Sequence, residues 1–260
     1  MKRFVYYFWL LALVAAVPLH PVRAAPSEVG VVLMHGKWGS PQSMQPLARD
    51  LESQGYRVSN AEMAWSGRRL YDVEYAAALK EVEAQVKQLR AKGAKRVVVG
   101  GQSMGANAAV AYASSGFDLD GLVVMAPGHF PERGMGTRLR PSLDRAKSMV
   151  AANRGAEAES FEDLNQGRQR SMRMAAGTYV SYFDPDGLGA STKNITKLSR
   201  PVPILLVIGT QDSFYPESRA MFDSAPAHAG SRYVALETDH FSMPKVVARE
   251  LLKWLDTLAQ

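Results

Sequence analysis

The chain has 260 residues, 47% hydrophobic and 22% charged, with 21 glycines, 14 prolines and no cysteine. This composition excludes a disordered tail, a collagen-like fibre and a multi-span membrane protein, and it rules out disulfide scaffolds, thiolate metal sites and cysteine nucleophiles. The formal charge of +6 includes Lys2, Arg3 and Arg23 in a leading segment without acids, and the rest has no basic run interleaved with aromatics, so no nucleic-acid partner is expected.

Lys2 and Arg3 precede an unbroken apolar run of 14 residues, Phe4 to Val17. Pro18 ends it, and Val22-Arg23-Ala24 offers side chains that a signal peptidase reads. A spanning helix needs about 20 apolar residues, which this run lacks. The expectation is a secretory signal over residues 1–24, cleaved after Ala24, and a periplasmic or secreted domain over 25–260. The alternative is an uncleaved N-terminal anchor, the one membrane contact foreseen.

From Glu28 onward, short apolar runs alternate with stretches of helical period. Val29 to Met34 is a compact, largely β-branched run ended by His35-Gly36. Residues 42–54 read as a helix stopped by Gly55, and Tyr56 to Ala61 as a weaker strand. Tyr75, Leu79, Val82, Val86 and Leu89 recur at helical spacing ahead of Gly93. Arg96 to Gly100 is the next strand, Ala106 to Ser115 the next helix, and Gly121 to Ala126 a strand. Val202 to Ile208 and Ser231 to Leu236 follow as strands, and Val247, Leu251, Trp254 and Leu258 mark one face of a closing helix. Strands that are apolar throughout are buried on both faces, so the fold class is α/β: a mostly parallel sheet of about six strands with helices on both faces. Residues 130–200 break the rhythm, with no clear buried strand. A connection that long in a compact domain is functional more often than idle, and it is expected to form a helical cap over the sheet's C-terminal edge.

Gly101-Gln102-Ser103-Met104-Gly105 lies directly between the Val97-Val98-Val99 strand and the helix that follows. Gly-x-Ser-x-Gly at a strand-to-helix turn holds a serine hydroxyl exposed above the sheet at a helix N-terminus. A serine needs a base to attack. His240, in Asp239-His240-Phe241 after the last strand, emerges on the same side as Ser103. His20 falls in the leader, His228 lies before that strand, and His129 follows the Gly121 to Ala126 strand at the entry to the cap. The base needs an orienting carboxylate. Asp212 closes the run Ile204 to Asp212 at a strand's C-terminal end, whereas Asp239 adjoins the histidine it would have to face. An oxyanion hole is expected from the amides of Lys37, in the His35-Gly36-Lys37-Trp38-Gly39 turn, and Met104. His35, Trp38 and His129 are candidate substrate contacts, and Trp65 to Arg69 a candidate pocket rim.

These segments, with Gly209-Thr210-Gln211-Asp212, resemble the α/β-hydrolase superfamily in order and spacing, over about residues 28–258 apart from the cap. The resemblance implies an α/β-hydrolase fold in a compact form. It also implies a Ser–Asp–His triad of Ser103, Asp212 and His240, a two-amide oxyanion hole, and acyl transfer to water through an acyl-enzyme. No cofactor or metal is needed. The expected substrate is a small-molecule carboxylic ester or thioester, and the expected state a monomer. An amidase or peptidase with the same triad, or a catalytically silent fold that binds a ligand or protein, stays open, because fold alone does not fix the reaction. The cap carries 12 basic against eight acidic residues between 131 and 200, among them Arg168, Arg170 and Arg173. These form either a solvated surface or a capture site for an anionic group.

Overall fold

The fold is built around four strands whose residues are almost all buried, the pattern that continuous apolar runs predict for strands covered on both faces. A computed structural model describes residues 25–133 and 135–258, without the side chains of residues 135–137; the leader expected over 1–24 lies outside the described residues. The central strands are β1 (Val29–Met34), β3 (Arg96–Ser103), β4 (Gly121–Pro127) and β7 (Ile204–Gly209). The edges are β2 (Arg57–Ser59) and β8 (Arg232–Leu236). All six pair in parallel in the order β2-β1-β3-β4-β7-β8. Strand β2 is shorter than the run Tyr56 to Ala61 suggests, and its residues are only half-buried, as suits an edge with little to template further pairing.

Helices α1 (Gln45–Ser53) and α2 (Tyr75–Ala91) end where the sequence places a glycine. Gly55 and Gly93 have φ of 89° and 95°, which a residue with a Cβ rarely adopts. In α2 the Gly93 amide donates to Arg90 O (2.9 Å) and the Ala94 amide to Leu89 O (3.0 Å), a Schellman closure. Tyr75, Leu79, Val82, Val86 and Leu89 are all buried on the face their spacing predicts. Helix α3 (Met104–Ser114) starts directly on Ser103, two residues earlier than the apolar pattern suggests. Its residues from Met104 to Ala113 are all buried, and five are alanines, so the helix lies deep between the sheet and the cap. The closing helix is split into α8 (Met243–Val246) and α9 (Ala248–Leu258) around a buried Val247.

Between β4 and β7 the chain forms the cap. It is not wholly helical as expected. Helices α4 (Met135–Ala151), α5 (Ala176–Phe183) and α6 (Ser191–Asn194) flank an antiparallel hairpin of β5 (Ala158–Asn165) and β6 (Arg168–Ala175). The hairpin turns on Gln166 and Gly167, both with positive φ, the backbone of a tight two-residue turn that matches strand twist. Only Phe161, Asp163, Met172 and Met174 of the two strands are buried, so the alternation that marks a half-buried strand is carried by four side chains. Aromatic contacts seat the cap on the body: Tyr182 stacks on Tyr75 (4.5 Å) and meets Tyr71 edge-on (4.8 Å); within the cap, Tyr179 stacks on Phe161 and Phe183. Helix α7 (Tyr215–Asp223) links β7 to β8.

Strand order reverses at β1, because β2 lies on one side of it and β3, β4, β7 and β8 on the other. The carboxyl ends of β1 and β3 therefore diverge into a crevice, the place where open parallel sheets bind ligands.

Candidate active site

Ser103 ends β3 at φ 58° and ψ −114°. A non-glycine residue rarely holds this conformation, and it lifts the hydroxyl off the strand's pleat. Two neighbours leave room for it. A Cβ at Gly101 would fall 2.5 Å from Met34 O, and one at Gly128 would fall 2.7 Å from Ser103 Oγ. The pairing of β3 with β4 slips between Gln102 and Ser103, which lets the turn begin before the ladder ends.

His240, on the loop after β8, is 6% exposed. Its Nδ1 lies 2.7 Å from Asp212 Oδ2, and the other oxygen of Asp212 accepts the Phe214 amide at 2.9 Å. A carboxylate only accepts, so Nδ1 carries the ring proton and Nε2 keeps its lone pair. The Gln102 side chain donates to His240 O (3.0 Å), tying the His240 loop to the residue before Ser103. A Cβ at Gly128 would also lie 3.5 Å from His240 Cε1, so the imidazole edge and the serine hydroxyl border one small space. Asp239 is engaged elsewhere: it accepts the amides of Phe241 and Ser242, both at 2.8 Å, in the turn toward α8. Those backbone donors, with the Ser242 hydroxyl, hold its carboxyl below its ordinary value.

Ser103, His240 and Gln102 share a cavity of about 150 Å³ with Gly36, Lys37, Asn165 and Phe241. In the turn after β1 the Trp38 amide donates to Trp65 O (2.9 Å) and the Gly39 amide to Gly36 O (3.1 Å), while the Lys37 amide has no acceptor among the described residues. The Met104 amide is the first of α3, with no acceptor inside the helix. Two donors are therefore available beside Ser103.

The side chains of this turn face the cap. Lys37 Nζ is buried and donates to Asp163 Oδ1 (2.7 Å) and Leu164 O (3.0 Å), while Trp38 Nε1 (2.8 Å) and the Tyr71 hydroxyl (2.7 Å) donate to Asp163 Oδ2. Asn165 returns a hydrogen bond to Lys37 O (3.1 Å). Burial pushes the Asp163 carboxyl up, but the Lys37 charge and the hydrogen bonds from Lys37 and Tyr71 outweigh it and hold Asp163 below its ordinary value. Nothing in the sequence around Asp163 marks it, since its partners lie 92 to 126 residues away. The cap thus grips the loop that carries the Lys37 amide.

Of the three expected substrate contacts, Trp38 lines an outer cleft, while His35 and His129 turn inward. His35 is fully buried. Its Nε2 accepts the Met63 amide (3.1 Å) and its Nδ1 donates to Gly36 O (2.8 Å), so burial keeps it neutral and it shapes the turn. His129 lies 2.8 Å from Tyr182 O through Nε2, and burial, with the nearby Lys37 charge, takes its pKa down to about 3. It braces the cap. Trp65, expected at the rim, is wholly buried and donates to His35 O from behind the turn (2.8 Å).

A parallel sheet ordered in this way, with a serine at the β3 turn and an aspartate-bound histidine bordering the same small space, fits a hydrolase architecture. The chain belongs to the alpha/beta hydrolase family, whose profile matches residues 31–250. Among solved structures it is similar to that described for LipS and LipT, two metagenome-derived lipolytic enzymes, at 17% identity and TM-score 0.63 over 90% of this chain and 96% of that one. It is also similar to a Paleococcus ferrophilus monoacylglycerol lipase, at 19% identity and TM-score 0.63 over 91% of this chain and 97% of that one. The thioesterase domain from the curacin biosynthetic pathway aligns at 16% identity and TM-score 0.56, over 89% and 92%. Identities this low show the fold alone. No curated protein sequence matches the chain.

Proposed function

We propose that the chain is an exported serine hydrolase that cleaves a small carboxylic ester or thioester through an acyl-enzyme. The observation that carries this reading is the Asp212-bound imidazole of His240 bordering the same space as Ser103 Oγ. In the first half-reaction Ser103 Oγ attacks the substrate's carbonyl carbon and its proton passes to His240 Nε2. Asp212, hydrogen-bonded at Nδ1, stabilises the imidazolium so formed. The amides of Lys37 and Met104 receive the charge that grows on the carbonyl oxygen; losing one such donor costs about a hundredfold or more in rate. When the intermediate collapses, the alcohol or thiol leaves with the proton from His240. Water then gives a proton to His240 and attacks the acyl carbon, and Ser103 recovers its hydrogen as the acid departs.

Intact-mass measurement after treatment with a fluorophosphonate is expected to show one adduct per chain, on Ser103. An unlabelled, folded protein overturns the proposal. Asp212→Asn frees Nδ1 to lose its proton and puts the wrong tautomer beside Ser103, and in triads of this kind that lowers kcat by about ten-thousandfold. Steady-state kinetics of Asp212→Asn and Asp239→Asn are expected to show that loss for Asp212 alone, because Asp239 is spent on the Phe241 and Ser242 amides. A greater loss in Asp239→Asn reassigns the acid.

A further inference from the structure

Beside the Ser103 cavity lies a larger cleft of about 880 Å³, lined by Lys37, Trp38, Asn165, Arg168, Gln169, Arg170 and Phe241. Lys37, Asn165 and Phe241 line both spaces, so they are successive parts of one path to the serine. Neither lining includes a carboxylate. Its free positive charge comes from Arg168 and Arg170, since the Lys37 ammonium is buried against Asp163.

Several other cap cations are neutralised: Arg133 pairs with Glu217, Arg145 with Glu159, Lys147 with Asp184, Arg154 with Glu157 and Lys193 with Asp186. Arg168 and Arg170 have no ion pair among the described residues. Their position on β6 explains where they point. Met172 and Met174 are buried on the strand's inner face, and alternation places Arg168 and Arg170 on that same face. They continue it beyond the packed part of the hairpin, over the cleft. The Arg170 guanidinium lies 5.2 Å above the Trp38 ring, and Trp38 Nε1 is fixed by Asp163, so this charge is held in place.

We propose that this cleft is a subsite for an anionic group, and that the substrates are esters or thioesters carrying a carboxylate or phosphate away from the scissile bond. The proposal rests on the hydrolase reading for what happens at Ser103. The guanidinium presents planar, forked donors that fit either anion, and a cleft wall without competing carboxylates leaves them free for it.

The test uses three esters of one chain length: mono-4-nitrophenyl adipate, its neutral methyl ester, and 4-nitrophenyl 6-phosphonooxyhexanoate. A charge-assisted hydrogen bond predicts that kcat/KM for at least one anion exceeds that of the neutral ester by about tenfold or more at low salt. The preference is expected to shrink as sodium chloride is raised. Which anion gains more identifies the group. The double variant Arg168→Gln, Arg170→Gln is expected to bring the anionic-to-neutral ratio near one, while Arg173→Gln, on the strand's outer face, keeps it. A charge-blind wild type, or a ratio unmoved in the double variant, overturns the proposal. Calorimetric titration with hexyl phosphate and monomethyl adipate reads the subsite without turnover. Saturable binding lost in the double variant supports the subsite even if no ester is hydrolysed, an outcome that sinks the hydrolase reading instead. Neutral-ester turnover without charge preference or binding overturns the subsite and leaves the hydrolase reading standing.

Discussion

Ser103→Ala is expected to lower kcat on an activated ester by about a millionfold, the scale seen when a triad loses its nucleophile. The substitution removes one oxygen and leaves the Asp212–His240 hydrogen bond and the amides of Lys37 and Met104 in place. On the proposed mechanism a residual rate above that of free solution is therefore expected, because the two amides still stabilise the substrate oxygen as water attacks. Stability moves the other way at this position. The serine's φ of 58° strains any residue with a Cβ, at a cost of order 1–3 kcal/mol. Ser103→Gly, which lacks that strain, is expected to match alanine in lost activity while melting at a higher temperature than wild type. Near-wild-type turnover in either variant overturns the assignment of Ser103 as nucleophile. A glycine variant that melts lower than wild type means instead that the elbow is not strained.

The second large effect belongs to the cap. Asp163→Ala leaves the Lys37 ammonium, the Trp38 indole N–H and the Tyr71 hydroxyl buried without their acceptor. Breaking a buried ion pair from one side costs about 3–5 kcal/mol, a large part of the 5–15 kcal/mol that holds a typical domain together. For a chain of this size the melting temperature is expected to fall by roughly 10 °C or more. Because Asp163 holds the turn that carries the Lys37 amide, kcat is expected to fall in the protein that remains folded. Lys37→Met with Asp163→Leu removes both charges together and is expected to recover part of the stability, the difference being read by a double-mutant thermal cycle. Unchanged melting in Asp163→Ala overturns the role of this network. The pH dependence has a definite sign. The folded carboxyl titrates below its unfolded value, so its contribution is complete above the ordinary carboxylate range near about 4 and is lost as pH falls through the lower folded value. Wild type and Asp163→Ala are thus expected to differ in stability at neutral pH and to converge in acid.

The comparison of sequence with structure divides along the range of the interactions. Burial on both faces leaves β1, β3, β4 and β7 as continuous apolar runs, and α2 carries its face in five residues at helical spacing, so these elements were legible from the chain alone. So were Ser103, Asp212 and His240 as candidates, because each follows a readable strand at its carboxyl end and a parallel sheet collects such ends on one edge. The hairpin of the cap was not. Its strands bury four side chains between them, one of which is Asp163, and Glu159, Arg168 and Arg170 share that inner face, so the alternation is hidden under polarity. The turn signal, Gly167 after Gln166, is short and lacks the asparagine-glycine pairing that advertises such turns.

The sequence by itself determined the fold class, the succession of the main sheet's strands and their flanking helices, and the chemical types available at the sheet's edge, because periodicity, glycine stops and strand composition are local properties of the chain. Tertiary structure alone decided which polar groups meet. It turned His35 and His129 inward as structural residues, took Asp239 into a turn while Asp212 met His240, and brought Asp163 to Lys37 across 126 positions. It also placed Arg168 and Arg170 along the wall of the cleft beside Ser103. Apart from the local turn at Asp239, each of these depends on a hydrogen bond, ion pair or cleft contact between segments distant in sequence, whose geometry exists only once the sheet has formed and the cap has packed on it.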